Sequence, residues 1–235
     1  MNSSKNMKTM TRLALGVISA SSLAANAGGI TSWNNGAGGD WGAGANWSTG
    51  LVPTSLDAVD IGIPGAYTVS LSGNRSAGSL SISNSDAILS MEFSSAINMS
   101  GNIDNQGTIE INPANIAVGT NFTAVTDMAL GGNGRLVLGG DSSRANIRTL
   151  NGSTLNHASN HTIEGSGQIQ ALLWNNGLIS ANLGGVQMLL NSFDKTNLGT
   201  FEAVNAGIME INGTTVTQLS GGEIVADGVG SQVEL

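Results

Sequence analysis

A short phrase that recurs along the chain constrains its fold more than any other feature. It consists of Asn-x-Gly followed by alternating apolar and polar residues, and its clearest copies lie at 105–111, 175–181 and 197–203. Looser copies lie at 165–171 and 220–226, and the glycines at 177, 199 and 222 are 22 and 23 residues apart. A turn and a short strand repeated at such intervals are typical of stacked solenoids. The phrase therefore predicts an all-β solenoid.

Alternation of apolar and polar residues, which puts the apolar side chains on one face of a strand, predicts further strands between the turns. These lie at 59–63, 67–71, 79–83, 107–111, 134–138, 168–172, 178–181, 187–190, 200–204, 208–211 and 222–226. From Val59 to Leu235 there is room for roughly eight coils of about 22 residues. Gly and Asn are expected at corners that need a positive φ. The stretch 114–130 repeats least, so we expect a loop or an irregular coil there.

The N-terminus has the order of a secretory signal peptide. Residues 1–12 contain Lys5, Lys8 and Arg12 and no acid, 13–23 are largely apolar, and Ala25-Asn26-Ala27 has the small residues of a cleavage site. The alternative is a membrane anchor, but the apolar run is shorter than the about 20 residues that a spanning helix needs. We therefore predict a signal peptide at 1–27, a secreted or outer-surface protein, and no transmembrane segment after it.

The remaining chain is acidic and poor in cations. After residue 27, five basic residues face all 16 acids, which gives a formal charge of −11. Nucleic-acid binding depends on clusters of Lys and Arg, so we expect no nucleic-acid partner. Cysteine is absent, which excludes disulfides and thiolate sites. Neither a cofactor nor a metal is expected.

Residues 28–58 form a Trp- and Gly-rich region that precedes the segments of alternating apolar and polar residues. Trp33, Trp41 and Trp47 lie here. An open solenoid end exposes unpaired strand edges and an open core, so we interpret this region as an N-terminal cap on solenoid repeats that span 59–235. The alternative is a carbohydrate-stacking platform, because indole faces pack against sugar rings.

The motif order in this region resembles the start of a known class of proteins. Trp-x-x-Gly, Gly-Asp-Trp, Asn-Trp-Ser-x-Gly-x-x-Pro and Asp-x-Val-x-Ile follow one another between Trp33 and Ile61. This order resembles bacterial secreted or surface repeat proteins, autotransporter-like or adhesin-like, some of which carry sorting tails. The resemblance implies a right-handed parallel β-helix at the cell surface. It would also place an anchoring element after the repeats. None is recognised before Leu235, so three alternatives stay open: a fragment whose repeats continue, a freely secreted protein, and a protein held by a partner.

Candidate chemistry is sparse. The run 131–138 is similar to a calcium-binding nonapeptide, but Arg135 occupies the place of the ligand Asp, which favours a plain turn and strand. His157 and His161 are four residues apart within a polar segment, so we expect solvated loop histidines rather than metal ligands. Arg144, Arg148 and Asp141 are expected on a surface turn.

Two function classes remain open. The first is a structural or adhesive solenoid whose partners are extracellular polysaccharide or other cell-surface components. The second is a polysaccharide lyase or hydrolase, or a carbohydrate-binding module. An enzyme should gather carboxylates and cations on one face of successive coils. The acids look scattered, and Glu110, Glu202 and Glu210 look like outward strand residues, so we predict no catalytic residues and favour the structural class over the enzyme. An inert spacer inside a larger protein is a third alternative.

Overall fold

The protein is a parallel β-solenoid. The structure is a computed structural model and describes residues 28–141 and 143–235, so the predicted signal peptide lies outside the described residues. Within these residues the strands pair in parallel with strands one coil away, and no α-helix is present. A short 3-10 turn covers Gly44–Asn46. The predicted all-β solenoid is confirmed, and so is the expectation of about eight coils.

Eight coils follow one incomplete turn, and each coil contributes strands to three faces. The incomplete turn holds β1 (Ile30–Ser32) and β2 (Gly39–Asp40). Coils 1 to 4 hold β3 (Ala58–Asp60), β4 (Tyr67–Leu71), β5 (Asn74–Ala77), β6 (Ser79–Ile82), β7 (Ala87–Met91), β8 (Ala96–Met99), β9 (Ile103–Asn105), β10 (Thr108–Ile111), β11 (Thr120–Ala124), β12 (Met128–Gly131), β13 (Arg135–Gly139) and β14 (Ala145–Thr149). Coils 5 to 8 hold β15 (Thr154–His157), β16 (Thr162–Gln170), β17 (Leu172–Asn175), β18 (Leu178–Ala181), β19 (Gln187–Asn191), β20 (Lys195–Asn197), β21 (Thr200–Ala203), β22 (Ile208–Asn212), β23 (Val216–Gln218), β24 (Glu223–Ala226) and β25 (Gln232–Glu234).

The three faces are built from equivalent strands of successive coils. Face 1 is a 9-stranded sheet that begins with β1 and β3 and ends with β23. Face 2 runs from β2 and β4 to β24, and face 3 runs from β5 to β25. In coil 5 the single strand β16 passes from face 2 into face 3, which joins these two faces into one 16-stranded sheet.

The core is a set of aliphatic ladders inside the solenoid. Parallel pairing in register stacks equivalent positions about 4.8 Å apart. Every second side chain of a strand points inward, and there it packs against the equivalent side chain of the next coil. On face 2 the fully buried ladder contains Val69, Leu89, Ile109, Leu136, Ile163, Ile179 and Phe201. On face 3 it contains Ile97, Phe122, Ile147, Ile169 and Leu190.

The sequence located the strands of face 2 better than those of the other faces. The run at 178–181 coincides with β18 and that at 67–71 with β4, whereas β5, β8, β14 and β20 carried no recognised alternation. The expectation of a loop or irregular coil at 114–130 is wrong for 120–124 and 128–130, about half of the stretch. It contains β11 and the start of β12, because Phe122 enters the face 3 ladder between Ile97 and Ile147.

Close approach of neighbouring coils, not a positive φ, explains the glycine of the repeated phrase. Gly107 and Gly177 are absent from the positive-φ residues of the chain. A Cβ on Gly177 would lie 2.4 Å from the Ala158 carbonyl oxygen and 2.5 Å from that of His161. The corner glycine is therefore required because any side chain would collide with the backbone of the coil below.

Candidate functional site

The three tryptophans of the 28–58 region lie together in the interior. Trp33 and Trp47 pack edge to face with ring centroids 4.9 Å apart, and Trp41 and Trp47 do so at 4.8 Å. The Trp33 Nε1–H donates to the Asn35 carbonyl and the Trp47 Nε1–H to the Trp41 carbonyl, each at 2.7 Å. None of the three exposes more than 2% of its surface, so none presents an indole face on which a sugar could stack.

This region also continues the sheets of the solenoid. β1 pairs in register with β3, and β2 pairs with β4. Two core residues of coil 1, Ile61 and Val69, are fully buried, whereas Ile224 of coil 8 is 38% exposed. The tryptophan cluster is thus placed where it can cover the first coil, and its role as a cap is a prediction that deletion can test.

We expect deletion of residues 28–58 to cause aggregation, because it exposes the strand edges and the core of coil 1. Size-exclusion chromatography and thermal unfolding measure the result. A deleted protein that stays monomeric with an unchanged thermal transition contradicts the cap.

Point variants separate packing from the loss of a whole segment. Trp41→Ala should cost about 3–5 kcal/mol of unfolding free energy, as large-to-small changes of buried aromatics do. Trp174→Ala is the matched control, because Trp174 is 44% exposed on face 1. Its removal should cost well below half as much.

A second interior feature is a column of buried polar side chains at the corner between faces 1 and 2. Its members in coils 3, 5, 6 and 7 are fully buried: Asn105, His157, His161, Asn175 and Asn197. The chain of hydrogen bonds runs from Asn105 Nδ2 to His161 Nε2 (3.1 Å), from His161 Nδ1 to His157 Nε2 (3.1 Å) and from His157 Nδ1 to Asn175 Oδ1 (2.6 Å). Asn175 Nδ2 then donates to Asn197 Oδ1 (2.8 Å), and Asn197 Nδ2 to Gln218 Oε1 (3.0 Å).

The protonation of the column follows from its partners. The Gly177 N–H donates to Asn175 Oδ1, which fixes the orientation of that amide and makes the oxygen an acceptor for His157. His157 therefore carries its proton on Nδ1 and accepts the Nδ1–H of His161 on Nε2. Both imidazoles are neutral, and the chain of side-chain donors runs in one direction, from Asn105 in coil 3 to Gln218 in coil 8.

The expectation of solvated loop histidines is wrong. Both rings are fully buried, because the corner of coil 5 is two residues longer than that of coil 6 and turns His161 inward beside His157. Burial lowers the pKa of His157 to about 4, against the opposing effect of its bond to Asn175. Burial and the nearby His157 lower the pKa of His161 to about 3. Their contacts are with each other and with amides, and no group of three or more potential metal ligands occurs among residues 28–141 and 143–235.

Stacking gathers carboxylates that look scattered in the sequence. Glu110, Glu164 and Glu202 fall in one outward column of face 2, in coils 3, 5 and 7. Arg135 lies 3.7 Å from Glu164, and the Ser180 hydroxyl donates to Glu202 at 2.6 Å. Alternate coils are about 10 Å apart, whereas the carboxylates of a retaining pair are about 5–5.5 Å apart. The backbone spacing of the column is therefore too wide for a retaining pair and lies at the upper edge of the inverting range.

The two arginines that were predicted to share a surface turn, Arg144 and Arg148, lie in different parts of the solenoid. Arg144 forms an ion pair with Asp141 at 3.1 Å and donates to the Asn115 carbonyl, as expected of a surface turn. Arg148 instead occupies an outward position of face 3. It has no ion-pair partner in the part of the chain that the structure describes.

Lys195 is a buried cation that the sequence analysis did not single out. It replaces a hydrophobic residue in the ladder between Leu173 and Val216, and it is fully buried. Its Nζ donates to the carbonyls of Asn191, at 2.9 Å, and Phe193. Burial lowers the pKa of Lys195 to about 8, although the Asp194 carboxylate opposes this shift. Lys195 therefore ties down the loop that carries Phe193.

No helix among the described residues is long and apolar enough to cross a membrane. Comparison of the chain with protein-family models, with curated proteins and with solved structures found no match.

Proposed function

We propose that this protein is a structural, adhesive β-solenoid of the bacterial cell exterior. The observation that carries the proposal is the uninterrupted stack of eight coils, which offers long outward faces of stacked strands. Solenoids use such extended surfaces for binding. The order of residues 1–27 and the resemblance of Trp33 through Ile61 to bacterial surface repeat proteins support an extracellular location.

The proposal requires export. We expect the protein, expressed from Met1 in a secreting bacterial host, to leave the cytoplasm and to begin near Gly28, because Ala25-Asn26-Ala27 fits the cleavage rule. Cell fractionation, protease accessibility on intact cells and N-terminal sequencing measure this. The matched control lacks residues 2–27 and should stay inside the cell. Exported material with Met1 intact overturns the predicted cleavage site, and retention of the full chain in the cytoplasm overturns the extracellular role.

The structural role also predicts that polysaccharides are not cleaved. A screen for new reducing ends and unsaturated products on plant, algal and bacterial polysaccharides should show no turnover. Turnover that disappears in Glu164→Gln, with the thermal transition unchanged, would transfer the protein to the enzyme class.

A further inference from the structure

A groove lies at the corner between faces 3 and 1, across coils 4 to 6. Its volume is about 340 Å³, and it is lined by Arg148, Thr149, Leu150, Gln170, Ser192 and Phe193. This volume is near the lower end of the range of small-molecule sites, about 300–1,000 Å³. Its lining combines a cation, an aromatic ring, an amide and hydroxyls.

Phe193 is an exposed aromatic ring on a fixed loop. The ring is 44% exposed, although its loop is held by the buried Lys195 through the Asn191 and Phe193 carbonyls. The Thr214 hydroxyl donates to the same Phe193 carbonyl, at 2.5 Å. Ser192 adopts a φ of 71°, which is costly for a residue with a side chain. A strained, anchored loop that leaves an apolar ring in solvent indicates a ring held ready for a ligand.

Arg148 supplies a cation that has no ion-pair partner among the described residues of an acidic protein. Residues 28–235 carry 16 acids, yet none of those described forms an ion pair with Arg148. Its Nε–H is buried with no acceptor among the described residues. A guanidinium in this state can pair with a carboxylate through two parallel hydrogen bonds.

The outward column that contains Arg148 is otherwise uncharged. It runs along the solenoid axis through Asn98, Thr123, Arg148, Gln170, Asn191 and Asn212. Polar side chains thus recur about every 4.8 Å in successive coils. A row of amides and hydroxyls with one cation suits a long hydroxylated polymer better than a compact ligand.

We propose that this groove binds a polysaccharide that carries carboxylates, a polyuronate. Arg148 pairs with a uronate carboxylate, the Phe193 ring packs against the C–H face of the sugar, and Gln170 and Ser192 exchange hydrogen bonds with its hydroxyls. The inference rests on the proposed function, since such a polymer is met outside the cell. It adds to that function the ligand and the side chains that hold it.

The test is titration of the purified protein, residues 28–235, with polygalacturonate and with its methyl ester. The free acid should bind, and the ester should bind at least tenfold more weakly because it offers Arg148 no carboxylate. Arg148→Gln and Phe193→Ala should each weaken binding of the acid by tenfold or more. Arg135→Gln is the matched control, because Arg135 is an exposed arginine outside the groove. It should change affinity by less than twofold.

Several outcomes overturn the site. These are no binding of polygalacturonate, equal binding of acid and ester, equal losses in Arg148→Gln and Arg135→Gln, or tighter binding of single-stranded DNA than of the polyuronate. Failure of binding in a protein that is exported and processed refutes the groove and leaves the extracellular role standing. Binding by a protein that is never exported refutes the role and leaves the groove standing.

Discussion

Ile179→Asp is expected to prevent stable folding. Ile179 is fully buried on face 2, between Ile163 and Phe201 in the ladder. An unpaired carboxylate there has no hydrogen-bond donor and costs several kcal/mol. Domains of this kind are stable by about 5–15 kcal/mol, so the loss takes most or all of the stability. Thermal and urea unfolding followed by circular dichroism measure it.

Leu178→Asp is the matched control for this substitution. Leu178 is the preceding residue of the same strand, and its side chain lies in the outward column between Thr162 and Thr200. The same carboxylate on that side meets polar neighbours and solvent, so the change should cost about 1 kcal/mol or less. Glu110→Gln, also outward, should stay within about 0.5 kcal/mol. Equal losses at 178 and 179 would contradict the inward and outward assignment of face 2.

Stability is expected to fall steeply as the pH drops below about 6.5, because His157 and His161 must stay neutral in the folded protein. Their pKa values are lowered from 6.5 to about 4 and about 3, so the unfolded chain binds more protons between these limits. The stabilisation is complete above the unfolded value and is lost as the pH falls towards the folded values. At pH 5 this pair should make the free energy of unfolding about 3–4 kcal/mol lower than at pH 7. Urea unfolding at a series of pH values measures this slope.

The control replaces both histidines with glutamine, which keeps hydrogen-bonding groups at the corner and removes the titration. The double variant will be less stable at pH 7, but its stability should change little between pH 6.5 and 5. Carboxylates titrate lower, near pH 4, and affect both proteins alike. If the wild-type slope persists in the double variant, the histidine pair is not its cause.

The repeated phrase predicted the solenoid because parallel stacking demands like residues at like positions. It could not reveal that Asn105, Asn175 and Asn197 point inward, since an Asn at a turn suits a solvated corner equally well. The inward direction is set by partners one coil away, 22 residues apart for the Asn175–Asn197 bond. The residues that neighbour each Asn in the sequence do not indicate which residue of the next coil will be its partner.

His157, Lys195 and Phe193 show the same limit in sharper form. A polar run around the histidines favours a loop, yet the length of the corner relative to its neighbours turns both rings inward. Lys195 is a single cation in a short strand, and only its register with Leu173 and Val216 places it in the core. The groove joins residues 148 to 150 with residues 192 and 193, which only the stacking brings together.

Because the hydrogen bonds in the column of buried amides run in one direction, the solenoid can gain or lose whole coils. Coils 6 and 7, which offer Asn175 and Asn197 at this corner, each accept a bond from the coil before and donate one to the coil after. An added or removed coil of that type would therefore leave no unmatched partner behind. Coil 5 shows how a mismatched length is absorbed, because its two imidazoles bridge the distance from Asn105 to Asn175. The length of the solenoid can thus change by whole coils, and the column tolerates coils of different length, since its bonded residues are 22 and then 21 residues apart.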